Sequence, residues 1–137
     1  MTKNLTAELQ EEHRFLAEAL TKVKALGPSE EGLKLLNSSK AALLAHLKKE
    51  DTFLYPELRK IATTDQRVGG IVDMFASDMA KISQAAIEFF QHWENGGDPE
   101  DFAKELDTLI SVLLGRIRRE EMILYPEYKL AEEKNVA

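Results

Sequence analysis

The stretch His46-Leu47-Lys48-Lys49-Glu50-Asp51-Thr52-Phe53-Leu54-Tyr55-Pro56-Glu57 decides the fold, because it occurs twice. Its second copy is Arg116-Ile117-Arg118-Arg119-Glu120-Glu121-Met122-Ile123-Leu124-Tyr125-Pro126-Glu127. Glu, Leu, Tyr, Pro and Glu return unchanged, and most other positions change conservatively. The sharp chemical break is the first residue, His46 against Arg116. A repeat of this kind reads as one supersecondary unit used twice, each copy needing the other to bury its apolar face.

Turn signals on either side of the two copies define that unit. Gly27-Pro28-Ser29 offers a helix-ending glycine and a capping serine. Thr63-Thr64-Asp65 is a second turn, and Asn95-Gly96-Gly97-Asp98-Pro99 a third, with Asp98 placed to N-cap a helix and Pro99 at its first position. No useful length alternates apolar and polar residues as a strand would. The pieces between the turns therefore predict four helices of about 22, 34, 30 and 35 residues. Short loops between long helices make neighbours antiparallel, so residues 1–137 are expected to form one all-α domain, an up-down-up-down four-helix bundle.

The apolar residues recur at three-four spacing. The stripes are Leu9, Leu16, Leu20 and Val23; Leu36, Leu43 and Phe53; Ile71, Phe75, Ile82, Ala85 and Phe89; and Phe102, Leu106, Leu109, Leu113 and Ile123. Polar residues interrupt every stripe: His13; His46 and Glu50; Asp78; Arg116 and Glu120. Glu50 and Asp78 are equally far from Thr64, and Asp78 and Arg116 nearly so from the Gly96-Gly97 turn. At about 1.5 Å per residue these interruptions fall at one level of the bundle. His92 lies about 21 Å further along its helix and does not join them.

Buried polar groups are costly unless paired, so such a layer calls for a chemical reason. His46 and Glu50, one turn apart on one face, are a natural way for a helix to offer an imidazole and a carboxylate to a metal ion. These ligands suit iron, manganese or zinc. Tyr55 and Tyr125 are expected mainly to pack at the edge of the core, and Pro56 and Pro126 to kink their helices. The Lys48-Lys49 and Arg118-Arg119 pairs fall off the stripes and are expected on a solvated face.

With Glu12-His13 on the first helix, His46-x-x-x-Glu50 with Leu-Tyr-Pro on the second, and Glu120-Glu121 with Leu-Tyr-Pro on the fourth, the chain resembles the hemerythrin-like, or HHE cation-binding, family over nearly its whole length. The resemblance implies a non-heme di-iron centre, with two histidines for each iron and two bridging carboxylates. By position His13 and His46 would serve one iron, and Glu50 and Glu120 would be the bridges. The second iron's histidine positions hold Asp78 and Arg116. An arginine stays protonated and has no lone pair to give, so it cannot ligate.

The paired change predicts that Arg116 stands where the second metal would be and holds Asp78, Glu120 or both. Three carboxylates against one guanidinium leave −2, which one divalent cation neutralises. The candidate metal residues are thus His13, His46, Glu50, Asp78 and Glu120, for one iron at most, with a metal-free polar network as the equal alternative. Sensing or metal handling fits two histidines better than dioxygen carriage does. The alternative is a metal-free interaction module, because Arg116-x-x-x-Glu120 is also similar to Rsd-type anti-sigma regulators.

The remaining composition narrows the classes. The chain has 137 residues, 44% hydrophobic and 31% charged, with net charge −6 and no cysteine. Disulfides, thiolate zinc sites and iron–sulfur clusters are excluded, and nucleic acid is disfavoured as a partner. No secretory signal or membrane-length apolar run is visible, so a cytoplasmic protein without a membrane partner is expected. No nucleophile–base arrangement is present, and the expectation is a protein that is not an enzyme. Any protein partner is left unnamed.

Overall fold

A computed structural model describes residues 4–136, and these form the antiparallel four-helix bundle. The first rod is α1 (Leu5–Leu26). The second is α2 (Glu30–Lys49), a π turn at Glu50–Leu54 and α3 (Tyr55–Ala62). The third is α4 (Gln66–Trp93). The fourth is α5 (Pro99–Arg119), a second π turn at Glu120–Leu124 and α6 (Tyr125–Val136). α1 packs on α2 and α5, and α4 packs on α3 and α5.

The ends of the rods are fixed as the turn residues require. Asn4, Ser29, Asp65 and Asp98 each accept a backbone N–H of the helix they open. Gly27 ends α1 at φ +67°, a conformation that favours glycine. Gly32 is required by proximity: a Cβ there would stand 1.9 Å from the Gly27 carbonyl oxygen.

The prolines act differently from the expected kink. A proline in a helix lacks an N–H and crowds the carbonyl four residues back. Each rod meets this demand with a π turn just before its proline, in which the N–H of Tyr55 bonds the carbonyl of Glu50 and that of Tyr125 bonds Glu120. Five residues then complete the turn instead of four. Counting by threes and fours from Glu50 and Glu120 leads to Phe53 and Ile123, but the extra residue turns both outward, 57% and 39% exposed. Leu54 and Leu124 fill the interior instead, both at 0%. On α4 the buried positions likewise include Val72 and Ala86, one residue beyond the expected Ile71 and Ala85.

The interior is in two apolar parts. One holds Leu16, Leu20, Val23, Leu36, Phe89, Trp93 and Phe102 at the end of the Gly27 and Gly96 turns. The other holds Leu9, Leu58, Val72, Phe75, Leu124 and Tyr128 at the opposite end. Each fully buried aliphatic or aromatic side chain contributes about 1.5–3 kcal/mol relative to exposure, which secures the bundle on both sides. Between the two parts lie His13, His46, Glu50, Arg116 and Glu120, all at most 3% exposed.

Candidate metal centre

His13 on α1 meets His46 on α2 with the two Nε2 atoms 3.1 Å apart. His13 Nε2 is 3.0 Å from Glu120 Oε1, and His46 Nε2 is 3.5 Å from Glu50 Oε2. One donor atom from each of His13, His46, Glu50 and Glu120 lies within 4.8 Å of all the others. Atoms bound at about 2.0–2.2 Å to one ion stand about 3.0–3.5 Å apart for angles between right and tetrahedral. The His13–His46, His13–Glu120 and His46–Glu50 spacings match that range, while the set as a whole, spread over up to 4.8 Å, would draw in around an ion. Glu50 Oε1 is buried without a hydrogen bond and keeps lone pairs that a cation would satisfy, whereas Glu120 Oε2, also without one, faces the Arg116 guanidinium.

The imidazoles are held from behind. His46 Nδ1 donates to Glu12 Oε1 at 2.8 Å, and His13 Nδ1 donates to Glu121 Oε2 at 2.8 Å. A carboxylate behind a histidine fixes its tautomer and turns the other nitrogen's lone pair toward a metal. The linkage crosses between rods. α1 supplies His13 and the support for His46, while the second π turn supplies Glu120 and the support for His13. Lys49 binds the other oxygen of Glu12. Glu12 and Glu121 stand next to ligands in sequence, but nothing in their spacing pairs them with these histidines.

Tyr125 is also more than packing. Its hydroxyl donates to Glu50 Oε2 at 2.7 Å and lies 3.2 Å from His13 Nε2, with its ring stacked on that imidazole. Tyr55, its counterpart in the first copy, accepts from Arg116 Nη2 at 2.8 Å. Both tyrosines are expected at the core edge and both are buried with their hydroxyls bonded into the layer.

Arg116 occupies the other half of the layer. Its Nη1 donates to the Phe75 carbonyl at 3.0 Å and to Asp78 Oδ2 at 3.2 Å. Its Nε lies 3.4 Å from Glu120 Oε2, and its guanidinium lies 4.7 Å from the centre of the Phe75 ring. Both expected partners, Asp78 and Glu120, are thus beside it. Asp78, expected among the metal residues, stands outside the four-residue cluster. Its Oδ2 is taken by Arg116 and, at 2.7 Å, by Arg119. Arg119 and Lys49 thus bind partners of the layer, whereas Lys48 and Arg118 are exposed. His92 is exposed at the end of α4, edge-on to Trp93.

The charges balance through protons. Burial is the largest influence on Glu120 and pushes its pKa up to about 7, helped by the charge of Glu50 and opposed by the bond with His13. Burial also pushes Glu50 up, but hydrogen bonds from His46, Glu120 and Tyr125 outweigh it and hold that carboxyl below its ordinary range. For His46 burial lowers the pKa, and the bonds with Glu50 and Glu12 and the charges of Glu50 and Glu120 more than reverse it, favouring the cation. Five carboxylates (Glu12, Glu50, Asp78, Glu120, Glu121) face three fixed cations (Lys49, Arg116, Arg119), a net −2. Protons on His46 and Glu120 neutralise that charge, and one divalent ion could replace them.

Four buried ligands on three rods of a bundle, each imidazole backed by a carboxylate, define a helical-bundle domain with a candidate cation site. A family model described as the hemerythrin HHE cation binding domain matches residues 4–128, and the chain belongs to that family. Comparisons with curated proteins and with solved structures give no match. No helix among the described residues is long and apolar enough to cross a membrane.

Proposed function

We propose that the chain binds one non-heme iron ion through His13, His46, Glu50 and Glu120, and that it senses or handles iron rather than carrying dioxygen or catalysing a reaction. The observation that supports this most is the convergence of four buried donor atoms, with the outer nitrogens of the two histidines already held by Glu121 and Glu12. A bound ion would supply a Lewis-acidic, one-electron centre. The protein's part is to hold two imidazoles and two carboxylates facing one another within the bundle, giving up the protons of the layer as an ion enters. With Arg116 on the far side of Glu120, the residues fit one ion and not two.

Elemental analysis of protein purified without chelator or affinity tag tests the reading. About one iron per chain is expected, with thermal stability that falls when a chelator is added, since a ligand bound only by the native state stabilises it by mass action. Less than a tenth of an equivalent of any transition metal, with stability indifferent to chelator, would overturn it.

That result would favour the second reading, a metal-free interaction module of the anti-sigma kind. Its specific support is that two protons suffice to neutralise the layer. Against it stands Glu50 Oε1, a buried carboxylate oxygen left without a donor.

A further inference from the structure

We infer that the fixed charges around the four ligands confine the site to a divalent ion, so that the Arg116 guanidinium keeps a bound iron ferrous. This rests on the one-ion reading above and adds the oxidation state to it. At the position where the first copy carries His46, a neutral donor when it ligates, the second copy carries a side chain that keeps its positive charge at any pH the fold survives.

That charge is not free to move away. Arg116 is 3% exposed and tied to the Phe75 carbonyl, the Tyr55 hydroxyl and Asp78, with its Nε directed at the Glu120 carboxylate. Glu120 therefore stands between two positive neighbours, the guanidinium at Oε2 and the ligand position beside His13 at Oε1. Adding a third charge to the ion raises its repulsion with the guanidinium across one shared carboxylate, in a layer screened poorly by water.

The sum of charges points the same way. Five carboxylates and three cations leave −2, which a divalent ion cancels. Among the buried groups, Glu50 and Glu120 against Arg116 leave −1, so a divalent ion brings the centre of the layer to +1 and a trivalent ion to +2, with Glu12, Glu121 and Asp78 each about one-third exposed around it, and unbalanced charge in that centre is costly. A counter-anion finds little to hold it. The adjoining cavity is about 30 Å³, and beyond the layer's own residues it is lined almost wholly by side chains such as Leu16, Leu20, Leu43, Ile82 and Leu113.

The test uses the full chain, stripped of metal and loaded without oxygen with Fe(II), and separately with Zn(II) to check that the site is intact. Mediated redox titration of the iron form gives the midpoint. The unmodified protein is expected to take one Zn(II) or one Fe(II), and its iron to remain ferrous after overnight exposure to air. Arg116→Gln, still binding one Zn(II), should favour the ferric state at least tenfold more, a midpoint lower by about 59 mV or more for one electron. Arg116→Lys, which keeps the charge, should stay close to the unmodified value.

Ferric iron held stoichiometrically by the unmodified protein in air would overturn the inference, whether or not the variants fold. So would an unchanged midpoint in Arg116→Gln, or equal shifts in the Gln and Lys variants, either of which would show that charge is not the cause. In those cases one-ion binding would survive. If the unmodified protein took neither Zn(II) nor Fe(II), the one-ion reading would fall and this inference with it.

Discussion

The two halves of the molecule carry the same motif on the same kind of rod and do opposite things with it. In the first, His46 turns a nitrogen toward His13 and Glu50, and Glu12 braces it from behind. In the second, Arg116 fills the corresponding place and binds Asp78, Tyr55 and a backbone carbonyl. The backbone pattern is shared down to the π turn. One side chain therefore decides whether half a layer is a place for a cation or is itself the cation. A buried ionised group has to be answered by an opposite charge, and a bundle core accepts either a metal or a guanidinium in that role.

The sharpest way to break this comparison is to truncate one layer residue from each half. His46→Ala should abolish ion binding, reducing the metal content of the purified protein to background. Asp78→Ala should leave the ion-to-chain ratio unchanged, because Asp78 faces the arginines and not the cluster. Equal losses in the two variants would mean that Asp78 is a ligand after all. Next in size is Arg116→Ala in metal-free protein. Taking the buried cation away strips Glu120 of its guanidinium, strands the Tyr55 hydroxyl and leaves Asp78 only the exposed Arg119, and stability should fall by about 3–5 kcal/mol in denaturant titration.

Glu12→Gln and Glu121→Gln, one from each half, sharpen the comparison at the ligand cluster. Each should weaken ion affinity by about 10–100-fold, measured by competition with a chromophoric chelator, with stoichiometry unchanged. The smallest effects belong to the tyrosines. Tyr125→Phe and Tyr55→Phe should each cost about 1 kcal/mol of stability, the usual net worth of a hydrogen bond. Only Tyr125→Phe should also weaken ion binding, because only its hydroxyl touches Glu50 and His13.

Much of this was legible in the order of the residues. The four rods follow from glycine, proline and capping residues that act locally, and the structure keeps Ser29, Asp65 and Asp98 as caps. The layer follows from polar residues that break apolar stripes at matched distances from the turns. What could not be read has a common cause. Phe53 and Ile123 were placed inside by counting with an α-helical period, which a π turn violates. Glu12, Glu121, Tyr55 and Tyr125 reach the layer through contacts between rods, and rotation of one rod against another leaves no trace in spacing along either. Asp78 was grouped with the metal residues because level was known and direction was not.

The paired π turns also set the phase of the molecule. An α-helix advances about 100° per residue, so an additional residue would rotate everything beyond it by about that much, and each π turn absorbs that rotation by taking five residues to close. Wound as an unbroken α-helix, the same residues would swing Tyr55 or Tyr125, and the apolar wall that continues from each, away from the interior. Each long rod is thus two helices geared to different partners, one half meshing with the ionic layer and the other with the apolar end, and the bulge is the coupling that lets a single chain serve both.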